Sequence, residues 1–98
     1  MAMSYAHVRF PALMLERILI YYAKVVRALM DADTERSGKV PRKKFASIFR
    51  LFSVDIDDKF LRVMDAFDKG DGIEHKPFLQ AVSERLFPPR PGAALHMQ

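Results

Sequence analysis

The sequence predicts an all-α fold in which four helices form two helix-loop-helix units. Two observations favour this class. Apolar residues recur at helical spacing along most of the chain, and a short acidic segment containing glycine occurs twice, each time followed by a phenylalanine. These phenylalanines are Phe45 and Phe78, which are 33 residues apart, so the chain contains one internal repeat. A length of 98 residues is enough for one small domain of this kind.

The first unit is predicted to contain two helices on either side of the first acidic segment. Its first helix is expected from about Pro11 to Asp31, because proline is favoured at a first helical position. Its second helix is expected from Arg42 to about Phe52, where the apolar spacing ends.

The second unit is predicted to follow the same plan. Asp55 or Asp57 is a suitable cap for the third helix, which is expected to end near Phe67. The fourth helix is expected to begin near Lys76 and to stop before the proline pair at residues 88–89.

Three segments follow from these elements: an N-terminal arm over residues 1–10, the helical pair over residues 11–87, and a proline-rich tail over residues 88–98. The arm is expected to be mobile and the tail to have no core of its own. The first fifteen residues contain Arg9 and no acid, as some mitochondrial presequences do. The sequence leaves two interpretations of the arm open. It is either a targeting segment or only the short segment that leads into the first helix.

The first acidic segment resembles the twelve-residue calcium-binding loop of the EF-hand family, which takes ligands from six positions and places a glycine at position six. Gly38 is that glycine. Position twelve, normally a bidentate glutamate, is a lysine. An ammonium group about 4 Å from a divalent ion would cost on the order of 8 kcal/mol at an effective dielectric of 20. The vestigial ligand positions are Asp33, Glu35, Ser37, Lys39 and Lys44.

The second acidic segment fits the same loop if one residue is deleted on each side of Gly70-Asp71-Gly72. Its position twelve is Pro77, which has no carboxylate to give an ion. Position eight is Ile73, matching Val40 of the first loop, and the resemblance implies that these two residues pair in a two-residue-wide β ribbon joining the loops. The vestigial positions here are Asp68, Asp71 and Glu74.

The apolar residues flanking the loops repeat in register, so the resemblance extends over roughly residues 20–87. This stretch is similar to one lobe of calmodulin, centrin or a myosin light chain, with both ion sites degenerate. The resemblance implies a fold that survives without its metal, no bound cofactor, and a role in protein–protein interaction.

Composition separates the chain from an acidic calcium buffer. The net charge is +4 and the isoelectric point is near 9.6. Cysteine is absent, which excludes disulfides and thiolate metal sites and fits a reducing compartment. No stretch reaches the roughly 20 uncharged apolar residues of a membrane span. We expect an intracellular location, in a mitochondrial complex or in a cytoplasmic or cytoskeletal assembly.

The first predicted helix is apolar around more than one face, and four short helices cannot cover all of it. The apolar surface that the chain itself leaves uncovered predicts a partner. This partner is either a protein that contributes an amphipathic or acidic helix, or a second copy of this chain. The alternative is that these side chains are all core. The candidates beyond the core are Leu13, Ile18, Tyr21 and Tyr22.

The basic run Arg42-Lys43-Lys44 opens the second predicted helix. Cations in a first turn oppose the helix dipole by about 0.3–1 kcal/mol each, which favours an external anion as compensation. An acidic partner segment and an anionic lipid fit this description. Nucleic acid fits poorly, because no exposed aromatics are interleaved with the cations. The alternative is a solvated face.

Catalysis has no recognisable constellation. His7 and His96 lie near the chain ends and His75 lies in the second loop, so no nucleophile, base and orienting group can be assembled from them. We therefore expect a non-enzymatic, calcium-independent structural or adaptor subunit. The alternative is a light-chain-like regulator that responds to calcium or magnesium.

Overall fold

A computed structural model describes residue 5 and residues 7–87 of the chain. Within them the structure is mostly helical, with one two-stranded antiparallel sheet, which confirms the predicted class in outline. No helix in this part of the chain is both long and apolar enough to cross a membrane. The elements are α1 (Ala12–Ile20), α2 (Tyr22–Ala32), β1 (Lys39–Val40), α3 (Arg42–Leu51), α4 (Asp58–Phe67), β2 (Ile73–Glu74) and α5 (His75–Leu86).

The predicted first helix is interrupted, so the described residues contain five helices rather than four. The break is at Tyr21, whose φ of −113° and ψ of 30° lie outside the helical range. Branched and aromatic side chains crowd this point and lower its helix propensity. The Tyr21 N–H still donates to the Arg17 carbonyl at 3.0 Å, so the interruption is local.

The other helix boundaries agree with the prediction to within about two residues. Helix α3 begins at Arg42 directly after Pro41. The carboxylate of Asp57 caps α4 by accepting a hydrogen bond from the Phe60 N–H at 3.0 Å, which satisfies one of the unpaired donors of the first turn. Helix α5 begins at His75.

The two strands form the predicted ribbon, with Val40 opposite Ile73. Both side chains are fully buried, so the ribbon rests on the core. Gly72 lies against it with a φ of +150°, and a Cβ atom there would be 3.0 Å from the Lys39 Cβ and 3.1 Å from the Val40 carbonyl oxygen. Only glycine therefore lets the second loop approach β1 this closely.

The core is centred on phenylalanine rings from α3, α4 and α5. The Phe78 ring stands edge-on to Phe45 at 5.0 Å and to Phe67 at 5.5 Å, a favourable arrangement for aromatic pairs. Ile18 is also completely buried, one helical turn from the equally buried Met14. Ile18 was predicted to face a partner, and this is wrong because the chain's own core encloses it.

The described part of the N-terminal arm packs on the core. The Tyr5 ring lies 4.4 Å from the Phe67 ring, and Val8 is buried. Arg85 of α5 holds the arm by donating to the carbonyl oxygens of Tyr5 at 2.7 Å and Val8 at 3.0 Å. Its guanidinium also lies over the Phe10 ring at 4.9 Å. The predicted mobile arm is therefore wrong for residues 5 and 7–10. The predicted tail, residues 88–98, lies outside the described part.

Candidate functional site

Asp33 ends α2 and opens the first loop with an almost buried carboxylate, 8% exposed. Its Oδ1 accepts hydrogen bonds from the Ser37 N–H at 2.8 Å and the Ser37 hydroxyl at 3.2 Å. Its Oδ2 accepts from the Gly38 N–H at 2.7 Å and lies 3.0 Å from Nε2 of His75. Four donors within the chain therefore satisfy a carboxylate that the EF-hand resemblance assigns to an ion.

The same contacts account for the acidity of Asp33. The His75 hydrogen bond is the main cause that lowers its pKa from the ordinary 3.8 to about 2, assisted by the donors of Ser37 and Gly38 and opposed by burial. The carboxylate is ionised at neutral pH. It follows that Nε2 of His75 carries a hydrogen and donates it to Asp33.

His75 was not predicted to belong to this site. It is the first residue of α5, is 5% exposed, and its N–H donates to the Gly38 carbonyl at 3.3 Å. The ribbon register pairs Lys39 with Glu74. Extending that register by one residue places His75 opposite Gly38, next to Asp33, and this was the signal available in the sequence.

Asp68 opens the second loop and is satisfied in a similar way. Its Oδ1 accepts from the Gly70 N–H at 2.7 Å, and its Oδ2 accepts from Nη1 of Arg42 at 2.8 Å. The Gly70 bond, followed by the Arg42 bond, lowers the pKa of Asp68. The second guanidinium nitrogen, Nη2, lies 2.8 Å from Asp65.

Arg42 is thus occupied by two carboxylates of the same chain. Arg42 opposes the α3 dipole, and an external anion was predicted to compensate for its charge, whereas Asp65 and Asp68 supply that compensation from within the chain. Its assignment as a partner contact is therefore corrected. Lys43 and Lys44, the other members of the run, are exposed.

The remaining vestigial positions do not converge on one point. Glu35 is exposed, Lys39 forms an ion pair with Asp71 at 3.1 Å, and Glu74 lies 4.0 Å from the Lys69 ammonium. Across residues 5 and 7–87, no three His, Asp or Glu side chains are grouped closely enough to hold a metal ion. The loops are organised by ion pairs between side chains and by hydrogen bonds from backbone N–H groups to Asp33 and Asp68.

Apolar side chains on the outside of α1 and α2 form a second candidate site. Of the predicted residues, Leu13 is 39% exposed, Tyr21 is 36% exposed and Tyr22 is half-buried. Five exposed apolar residues were not selected from the sequence, although three of them lie in its first predicted helix. They are Leu19, Ile20, Met30, Leu51 and Phe87.

Two aromatic contacts connect this surface to other helices. The Tyr21 ring lies 5.4 Å from the Phe52 ring at the end of α3, and the Tyr22 ring lies 6.4 Å from the Phe87 ring after α5. A groove of about 540 Å³ runs beside α2, between Tyr22 and Met30. We call the exposed apolar side of α1 and α2, from Leu13 to Met30, the α1–α2 face.

The exposed charges around the α1–α2 face have a small positive excess. Lys24, Arg27 and Arg50 are exposed, against the exposed acids Glu16 and Asp31. A partner with acidic residues beside its apolar ones would complement this surface.

The sequence matches no protein-family model, and comparison with the curated proteins and with the solved structures finds no match. The function has to be inferred from the residues of this chain.

Proposed function

We propose that the chain is a degenerate EF-hand pair acting as a calcium-independent structural or adaptor subunit, which holds a helix of a partner protein on its α1–α2 face. The observation that carries this proposal is the Asp33–His75 contact at 3.0 Å. It gives the first ligand position of the first loop a donor from the other unit, so the loop has no need of an ion to keep its shape.

The order of the elements supports the EF-hand assignment. A helix, a loop, a two-residue strand and a second helix occur twice, in α2–β1–α3 and in α4–β2–α5. The strands pair through Val40 and Ile73, the residues at position eight of each loop. The α1 segment and the packed arm are additions to this plan.

The chemistry of the first loop supports independence from calcium. The four donors to Asp33 take up its acceptor sites, so an ion there would have to displace at least one of them, His75 or a donor of Ser37 or Gly38. Calcium also needs six to eight oxygens, and position twelve here is Lys44. The alternative is a regulator responsive to calcium or magnesium. It requires the bound ion to compensate both for the displaced donor and for the missing carboxylate at position twelve.

The α1–α2 face supports the adaptor role. Leucine, isoleucine, tyrosine and methionine side chains stay exposed there although the core is complete without them. Exposed apolar surface rimmed by charge is typical of interaction sites. A partner helix with leucines on one side and acids on its flanks fits best, and a second copy of the chain or an anionic lipid surface is the competing occupant.

Isothermal titration with calcium and with magnesium tests the loss of ion binding. We expect no saturable heat up to on the order of 1 mM metal, the weak limit of EF-hand loops. Micromolar affinity would overturn the proposal. A restoring variant, Lys44→Glu with His75→Leu, supplies the position-twelve carboxylate and frees Asp33. A gain of calcium affinity in this variant alone would support the EF-hand geometry of the loop.

The adaptor role needs a separate test. Leu19→Ser with Met30→Ser removes two exposed apolar side chains of the α1–α2 face and leaves the core unchanged. We expect cross-linking and mass spectrometry of the native assembly to lose partner contacts to this face in the variant. Unchanged cross-links would contradict the adaptor role, while Glu35→Ser with Lys76→Ser, at exposed residues outside α1 and α2, serves as the control.

A further inference from the structure

A second groove lies between the N-terminal arm and α4. Its volume is about 770 Å³, within the range of roughly 300–1,000 Å³ typical of ligand sites. Its floor is apolar: the half-buried Phe10 of the arm and Ala66 of α4 are open to it, above the buried Val8 and Val63. It therefore offers apolar burial to a short segment or a small ligand.

Three cations surround this floor. Arg9, Lys59 and Arg62 all line the groove and are exposed. Within the described residues none of the three forms an ion pair or a side-chain hydrogen bond. The acid in the lining is Asp65, whose carboxylate lies 2.8 Å from Arg42. The groove thus has an excess of positive charge that the described part of the chain does not neutralise.

The α4 wall presents a regular helical face. Lys59, Arg62, Val63 and Ala66 are spaced as i, i+3, i+4 and i+7, so they lie along one side of about two turns, roughly 10 Å of helix. The opposite wall is held in place, because Arg85 bonds the arm at the Tyr5 and Val8 carbonyls. Both walls are therefore preformed, which reduces the entropy cost of binding.

We propose that this groove, defined by Arg9, Lys59 and Arg62 around Val8, Phe10 and Val63, binds an acidic amphipathic peptide segment of a partner protein. Apolar side chains of the segment lie on the floor, and its carboxylates reach the three cations. The assignment follows from charge complementarity combined with a concave apolar floor, which suits an inserted chain better than a flat membrane. This surface is distinct from the α1–α2 face, so the proposal goes beyond the adaptor role and does not depend on it.

Synthetic peptides test the assignment with the full chain. The probe is a fluorescein-labelled helical peptide with leucines at i, i+3, i+4 and i+7 and glutamates elsewhere. One control peptide replaces the glutamates with glutamines, and another replaces the leucines with serines. We expect fluorescence anisotropy to show saturable binding of the first peptide, with an affinity at least about tenfold lower for either control. Equal binding of the glutamine peptide would overturn the proposal.

Variants then locate the site. Lys59→Glu with Arg62→Glu reverses two groove cations, and Lys43→Glu with Lys44→Glu makes the same charge change on exposed lysines of α3. We expect the first pair to weaken binding about tenfold or more and the second to change it less than about threefold. Circular dichroism checks that both variants remain folded. Equal losses in the two variants would show non-specific attraction and overturn the proposal.

Two further outcomes would also count against the groove. Chemical-shift changes in ¹H–¹⁵N spectra should map to α4 and the arm when the acidic peptide is added. If they map to the α1–α2 face instead, the groove assignment fails while the adaptor role stands. The last outcome concerns membranes. If the unaltered chain binds vesicles containing phosphatidylserine but not the acidic peptide, and the Lys59/Arg62 variant loses the vesicle binding, the cations would be assigned to a membrane and the peptide proposal would be overturned.

Discussion

Arg42 and His75 are equivalent residues of the internal repeat, and each donates to the first aspartate of the opposite loop. They are 33 residues apart, as Phe45 and Phe78 are, and each is the first residue of its helix. Nη1 of Arg42 lies 2.8 Å from Asp68, and Nε2 of His75 lies 3.0 Å from Asp33. The two units are therefore joined by two reciprocal side-chain pairs beside the ribbon.

Removing the buried donor should weaken the fold. We expect His75→Leu to lower Tm by about 5–15 °C, because a hydrogen bond to a buried charged group is lost without replacement by water. His75→Gln should lose less, since its amide can donate to Asp33. Thermal unfolding followed by circular dichroism measures both. Lys76→Leu, a change at the exposed neighbour, is the control, and an effect equal to that of His75→Leu would show that the Asp33 contact is unimportant.

The second reciprocal pair should contribute less, because Arg42 is partly solvated. We expect Arg42→Leu to lower the free energy of unfolding by about 1 kcal/mol, near the upper end for ion pairs in contact with water. Urea unfolding measures the change. Lys43→Leu removes a neighbouring first-turn cation that has no carboxylate partner among the described residues, and it should be neutral or slightly stabilising. A similar loss in both variants would contradict the role of Asp65 and Asp68.

The low pKa of Asp33 predicts sensitivity to acid. The folded-state pKa of about 2 lies below the ordinary 3.8, so the unfolded chain binds the proton first. The stabilisation of the folded state by the ionised Asp33 carboxylate is therefore present above about pH 4 and is lost as the pH falls towards 2. We expect Asp33→Asn to be less stable at pH 7 and to show a flatter fall in stability between pH 4 and pH 2.

Urea unfolding measured across this pH range gives the comparison. Glu35→Gln, at an exposed acid of the same loop, is the matched control and should keep the slope of the unaltered chain. An Asp33→Asn variant whose stability falls as steeply as that of the unaltered chain would show that other groups govern acid unfolding. Asp68 has a lowered pKa as well, so part of the slope should remain in either variant.

Gly72 should tolerate substitution less well than Gly70. Both have positive φ, and an alanine at either position is strained by about 1–3 kcal/mol. At Gly72 the new Cβ would also meet Lys39 and Val40 at 3.0–3.1 Å, whereas at Gly70 it would have no atom within 4 Å. We expect Gly72→Ala to be more destabilising than Gly70→Ala by at least about 1 kcal/mol in urea unfolding. Equal losses of stability in the two variants would mean that the second loop and β1 can move apart without cost when a Cβ is added at Gly72.

The ribbon was predictable because the internal repeat aligns Val40 with Ile73 and the EF-hand resemblance implies that residues at this loop position pair. The Asp33–His75 contact was not predicted, because it depends on how the ribbon register continues into α5. Ile18 was misplaced for a related reason. Its neighbours Leu19 and Ile20 are equally apolar, so periodicity alone cannot decide which of them faces inward when the helix breaks at Tyr21.

The arm was misjudged because it has no periodic pattern. Tyr5 and Phe10 are isolated aromatic residues, and their packing against Phe67 depends on tertiary contacts made by α4 and α5. Arg85 is 80 residues away from Tyr5 in sequence, so no pattern within the arm indicates the hydrogen bond between them. The sequence patterns of this chain predicted the helices and strands well, but they did not predict the contacts between elements that are distant in sequence.

We expect the hydrogen bonds from Arg85 to the arm to set where the smallest stable unit of this protein starts. Cutting the chain just ahead of α1 would uncover aromatic rings of the interior and leave a guanidinium without its two carbonyl acceptors. Truncated versions beginning at residue 11 should therefore be prone to aggregate, and tags or fusions at the front end need a spacer that leaves Tyr5 free to dock.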